Sequence, residues 1–101
     1  MANRLDLHTK LESILGSRNV YFQPPTSLKM SYPAIVYELS DIDNDFANDE
    51  VYNQRRAYKL TVIDKNPDSE YIEVIARLPK CRFDRHYKSN NLNHYVFTLY
   101  Y

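Results

Sequence analysis

Tyr58-Lys59-Leu60-Thr61-Val62-Ile63, followed shortly by Asn66-Pro67-Asp68-Ser69-Glu70, is the stretch whose reading decides the fold class. Tyr58, Leu60 and Val62 fall on one side of an extended chain and Lys59 and Thr61 on the other, the pattern of a strand with one face turned to a core. The second run is a helix start. Asn66 offers a capping side chain, Pro67 suits the first helical position, and the acidic residues face the positive end of the helix dipole. The spacing predicts a helix that buries Tyr71, Val74 or Ile75, and Leu78, and that Pro79 stops.

Upstream, Ala34-Ile35-Val36-Tyr37-Glu38-Leu39 is β-branched and bounded by Pro33 and Ser40-Asp41, which predicts another strand. Residues 4–15 read as an amphipathic helix carrying Leu7, Leu11 and Ile14 or Leu15 at helical spacing, with Asn3 as N-cap and Gly16 as stop. Val20-Tyr21-Phe22 is a short extended piece before Pro24-Pro25, and a loop is expected as far as Tyr32. Downstream, Cys81 to Tyr101 reads as a hairpin turning at Ser89-Asn90-Asn91, because Asn tolerates the left-handed conformations of tight turns. Its last strand is expected from Tyr95 to Tyr101. The expected fold is α+β, a mostly antiparallel sheet with two helices packed on one face. Residues 1–101 form a single domain, with a mobile acidic inter-strand loop at about 40–53.

A chain of 101 residues has room for one core. Folding at this size buries roughly 65% of the surface of the unfolded chain, so an oligomeric contact adds materially to stability. Thirteen basic and thirteen acidic side chains cancel, which removes the broad positive field on which non-specific nucleic-acid binding depends. Ten Tyr and four Phe set the chain apart from disordered, aromatic-poor sequences. The lone Cys81 has no internal disulfide partner, and no CxxC or Cys/His cluster suggests structural zinc, so a reducing cytoplasmic compartment is expected. The opening MANRLDLHTKLESILG breaks every apolar stretch with charge and matches neither a signal peptide nor a membrane span.

Asp41, Asp43, Asp45, Asp49 and Glu50 lie between Ser40 and Asn53 with no Lys or Arg among them. The first three have the opening spacing of a calcium loop, but Phe46 replaces the turn glycine and Tyr52 the bidentate glutamate, so calcium is not expected. The alternatives are a solvated loop and an arm that orders against a neighbouring subunit. Arg55 and Arg56 follow at once and could meet the acidic loop of the next subunit, a pattern suited to a head-to-tail ring. Arg82, Asp84, Arg85 and His86 form a second charged patch, read as an intersubunit salt-bridge network. His86 and His94 across the hairpin invite a metal reading, but three ligands are not in view. His8 reads as a boundary residue of the first helix. Cys81 lacks an activating setting, and one Gly excludes a glycine-rich phosphate loop. No catalytic, cofactor-binding or metal-ligating set is expected, and Tyr95, Tyr100 and Tyr101 are candidates for subunit contacts.

Three stretches carry a resemblance. They are Tyr32-Pro33-Ala34-Ile35-Val36-Tyr37-Glu38-Leu39-Ser40-Asp41-Ile42, then Val62-Ile63-Asp64-Lys65-Asn66-Pro67-Asp68-Ser69, then Phe83-Asp84-Arg85-His86 with Asn91-Leu92-Asn93-His94-Tyr95-Val96-Phe97-Thr98-Leu99-Tyr100-Tyr101. Together they resemble short proteins encoded among the head–tail genes of siphophages of Gram-positive bacteria, and most closely the tail-terminator, or tail-to-head joining, family. The resemblance implies a homo-oligomer, a hexameric ring that caps the tail tube and meets head-completion (stopper) proteins. It implies no cofactor, no membrane, and DNA only by passage through the ring lumen. The place implied is the head–tail junction of the virion, after assembly in the host cytoplasm. It also implies that 40–53 lies in the family's long inter-strand loop, mobile in the free subunit and ordered in the ring. Two other readings stand beside it: another head-completion protein such as a stopper or adaptor, and a small phage-encoded binding module. A metal-dependent hydrolase built on His86 and His94 is a third.

Overall fold

The first helical stripe resolves to Leu7, Leu11 and Leu15, all buried, with Ile14 packed at their margin, in α1 (Arg4–Leu15). Gly16, at φ +73, ends it in the left-handed conformation, its N–H donating to Glu12 O at 2.9 Å. The computed structural model describes residues 4–25, 29–47 and 50–101, and the side chains of those residues outside 43–55. The expected cap Asn3 and the loop positions 26–28 lie outside the described residues.

The remaining elements are β1 (Val20–Phe22), β2 (Ala34–Ala47), β3 (Glu50–Asp64), α2 (Tyr71–Ala76), β4 (Cys81–Ser89) and β5 (Leu92–Tyr100). They form one five-stranded sheet in the order β1-β2-β3-β5-β4. Only β1 against β2 is parallel, and the other pairs are antiparallel. The α+β fold expected from the sequence is the fold observed. β3 lies at the centre, and its alternation sets the core: Leu60 opposes Tyr37 and Phe97, and Val62 opposes Ile35 and Tyr95. These residues are buried together with Leu7 and Leu11 of α1 and Ile75 of α2, so both helices cover the same face. Full burial of each aliphatic side chain contributes about 1.5–3 kcal/mol.

Three expectations need correction. The second helix starts later and is shorter than its start signal suggests. Asn66 Oδ1 accepts the Asp68 N–H at 3.0 Å and Asp64 Oδ1 accepts the Asn66 N–H at 3.0 Å, so the capping residue closes a local turn instead. Tyr95 Oη donates to Pro67 O at 2.6 Å and ties that turn to β5. Glu70 then holds the cap position without a side-chain capping bond, Ile75 is the buried residue of the stripe, and Val74 is 49% exposed. Leu78 lies beyond the helix end and packs against the core from there.

The hairpin turn is as expected, with Asn90 at φ 53 and Asn91 at φ 63, but β5 begins at Leu92 instead of Tyr95. The largest difference is at 40–53, expected as a loop. β2 and β3 run through this segment as an antiparallel ribbon, with Asp41↔Ala57, Asp43↔Arg55, Asp45↔Asn53 and Ala47↔Glu50 in register. Shifts between Leu39 and Asp41 and between Asp45 and Phe46 mark irregularities in it. The run of acids hid the strand because Asp and Asn disfavour strands when judged singly. Continuation of an established two-strand register outweighs that preference.

The ribbon projects. Pairing of β3 with β5 reaches only Ala57↔Tyr100, with one more bond from Tyr101 N to Arg56 O at 3.0 Å, and β1 reaches only Tyr37. The molecule extends 51 × 27 × 23 Å with a radius of gyration of 14.7 Å, against about 13 Å for a compact chain of this length. Among the described residues no helix is long and apolar enough to cross a membrane.

Candidate functional site

At the root of the ribbon, Ser40 is the extra residue of the first register shift, and its hydroxyl donates to Ala57 O at 3.0 Å. Leu39 and Ile42 flank it, 38% and 41% exposed, so the apolar character of β2 continues outward past the end of the helical cover. Asp41 is exposed, and its Oδ1 accepts the Ile42 N–H at 2.9 Å. Of the expected acidic contact residues, Asp43, Asp45 and Glu50 lie on the ribbon at register positions opposite Arg55, Asn53 and Ala47. Asp49 lies outside the described residues.

Register also places the two arginines. Arg55 is the partner of Asp43 and Arg56 the partner of Ile42 within the same chain. Expected as a basic pair reaching a neighbour's acidic loop, they lie on the same ribbon that carries the acids. Cross-strand neighbours of opposite charge stabilise a pair by about 0.2–1 kcal/mol.

The opposite edge of the sheet is β4. It bonds β5 on one side, and among the described residues no strand pairs with its other side. All its residues after Cys81 are exposed, including Phe83 at 49% and Tyr87 at 41%. A register shift between Phe83 and Arg85 makes Asp84 a bulge residue. There Asp84 Oδ1 pairs with Arg82 Nε at 3.1 Å, and Oδ2 accepts the Thr98 hydroxyl. The guanidinium of Arg85 lies over the Tyr87 ring, 5.5 Å from its centroid. The bulge and the charged side chains oppose indiscriminate strand pairing at an edge that has no strand partner among the described residues.

His86 and His94 do not converge. His86 pairs with Tyr95 and His94 with Tyr87, successive register positions whose side chains point to opposite faces. Each stacks on its partner with centroids 4.7 Å apart. On the helical face, Asn93 Nδ2 donates to Asp64 O at 3.4 Å and Lys65 O at 3.5 Å. Its Oδ1 therefore faces His86 Nε2, which donates across 3.2 Å. His94 Nδ1 is bonded to Leu92 O at 3.1 Å on the other face. Both rings are built into the hairpin, which leaves the hydrolase reading without its central pair.

Tyr95, expected among the contact tyrosines, is 9% exposed and belongs to the core. Tyr101 packs partly against that core, and Tyr100 is 41% exposed. Burial, then the charge of Asp84, pushes the Cys81 thiol up, away from the reactive thiolate.

Sequence reading missed one cluster. Tyr37, fully buried, accepts Arg4 Nη1 at 3.2 Å and leaves its hydroxyl hydrogen for His8 Nδ1 at 2.7 Å. Arg4 also lies over the Phe22 ring at 4.2 Å. His8, expected as a boundary residue of the helix, is half-buried there and holds α1 to β2 through this bond. The signal was available only as Arg4 and His8 sharing one side of the helix.

Negative charge gathers along the ribbon, and positive charge along the far edge and the approach to it, where Arg77, Lys80, Arg82, Arg85 and Lys88 are exposed around Asp84. No family model and no curated protein matches the chain.

Proposed function

We propose that this chain is a non-enzymatic structural protein of a siphophage neck, a ring-forming tail terminator that caps the tail tube and joins it to the head. The observation that carries the reading is the β2–β3 ribbon, which beyond the Asp41↔Ala57 pair has no third strand in register beside it among the described residues. A two-stranded ribbon is marginal in water by itself and is stabilised when something packs on it. The three family-like stretches support the same reading. They fall on β2, on the end of β3 with its turn, and on the β4–β5 hairpin, so the resemblance follows one continuous sheet.

In this reading the partners are further copies of the chain in a hexameric ring, the tail-tube protein on one side and a head-completion protein on the other. DNA passes through the lumen without being held, in keeping with a formal net charge of +0. The protein works at the head–tail junction of the virion after assembly in the host cytoplasm.

Native mass measurement alone and with purified tail tubes tests the reading. Rings that bind and cap the tubes are expected. A protein that forms no ring with or without tubes and leaves tube length unregulated overturns it. Binding to portal-side neck proteins in place of tubes assigns the stopper role instead.

A further inference from the structure

Register sets Arg55 opposite Asp43 and Arg56 opposite Ile42 within one chain, and a larger group of exposed cations lies at the other edge of the sheet. We propose that the free β4 edge of one copy receives the β2–β3 ribbon of the next, with Arg85 and Lys88 set against the acidic positions 41, 43 and 45. The contact deepens the ring reading above and rests on it for closure.

Charge is the first argument. The segment from Ser40 to Asn53 carries acids without a Lys or Arg, while β4 and its approach carry five exposed cations around one Asp, and the chain as a whole is neutral. A neutral chain with its charges separated to two places repels itself like-to-like and attracts itself unlike-to-unlike. The second argument is shape. β4, with 9 residues, is roughly 30 Å long, and the part of β2 from Asp41 to Ala47 roughly 23 Å, at 3.3–3.4 Å per residue. Two extended elements of similar length each have a side without a strand partner among the described residues.

Apolar surface is the third argument. Leu39 and Ile42 are exposed at the ribbon root, and Phe83 and Tyr87 on β4, one on each face of that strand, so both edges carry exposed apolar side chains among their charges. β3 and β5 stand between β2 and β4, so one copy presents both patches at once on opposite sides of the sheet. Such a contact is heterologous: it closes into a ring or runs on, and it cannot end as an isolated dimer without leaving one patch of each kind open.

The test is a charge exchange in the full chain. One variant carries Asp41→Lys, Asp43→Lys and Asp45→Lys, another Arg85→Glu and Lys88→Glu, and a third carries all five. Circular dichroism checks the fold of each, and sedimentation velocity with zero-length carboxyl–amine cross-linking reads association, with and without tail tubes. Each partial variant is expected to associate more than about tenfold more weakly than the unaltered protein, and mixing the two to restore a mixed assembly. The fivefold variant should regain self-association. Cross-links of the unaltered protein should join Lys88 to the ribbon of another copy, and salt should weaken the contact. Association that is indifferent to both charge sets overturns this contact while leaving the ring reading intact. Loss in both partial variants without restoration overturns it as well, and binding of an oligonucleotide that Arg85→Glu and Lys88→Glu abolish, with association unchanged, assigns the β4 edge to nucleic acid. A chain that associates under neither condition overturns the contact and the ring reading together.

Discussion

Tyr37, on β2, touches α1, β1 and β3. Its ring touches Phe22, Tyr58 and His8, and its hydroxyl is shared between Arg4 and His8. Tyr37→Phe keeps the ring and removes both bonds, and it should cost about 1–2 kcal/mol in urea unfolding, with α1 loosened against β2. An unchanged midpoint would show that water replaces the hydroxyl at no cost. The same burial raises the Tyr37 pKa above its ordinary value, and burial raises those of Tyr71 and Tyr95 as well, each with a smaller contribution from nearby carboxylates. A raised native pKa means that the unfolded chain releases its proton first. The stability these tyrosines contribute is therefore complete below about pH 10 and is lost as pH rises through their native values. Thermal melts followed across alkaline pH should fall above that point, and fall less steeply in Tyr37→Phe. Tyrosinate absorbance that develops fully in the folded protein near the ordinary tyrosine pKa would contradict this.

Among the elements, the β4–β5 hairpin depends on two successive residues at positive φ, Asn90 and Asn91, and neither is glycine. Asn91→Ala should destabilise the protein by about 1 kcal/mol, because alanine lacks the local hydrogen bonding that lets Asn accept the left-handed conformation. Amide exchange in β4 should quicken with it, since β4 has no second strand to hold it among the described residues. Equal exchange in variant and unaltered protein would mean that the stacked pairs His86–Tyr95 and Tyr87–His94, not the turn, hold the hairpin. The helices divide differently. α1 lays three leucines on the sheet, whereas α2 buries Ile75 and reaches the core otherwise through Tyr71 and Ile72 at its margin. α2 is held as much by the polar turn before it, through Asp64, Asn66, Asn93 and Tyr95, as by its own stripe.

For the molecule as a whole, the ribbon and the body are separable. The core residues lie between α1, α2 and the part of the sheet where β3 has neighbours on both sides. Replacing residues 44–54 by an Asn-Gly turn joining Asp43 to Arg55 should leave the thermal midpoint within a few degrees and abolish assembly on tail tubes. A collapse in folding would place the ribbon inside the cooperative unit. The periodicity of 58–63, the leucine spacing of 4–15 and the paired asparagines at 90–91 were enough to determine the α+β class, the order of elements and the face of β3 that is buried. Each depends on neighbours along the chain, and local chemistry decides such features. Tertiary structure alone decided that 40–47 and 50–53 are strand, that Arg55 lies opposite Asp43, that His86 and His94 point to opposite faces, and that Asn66 closes a turn instead of capping a helix. These are matters of register and of bonds between distant segments, and a one-residue slip in register would exchange every face, so composition and spacing carry no trace of them.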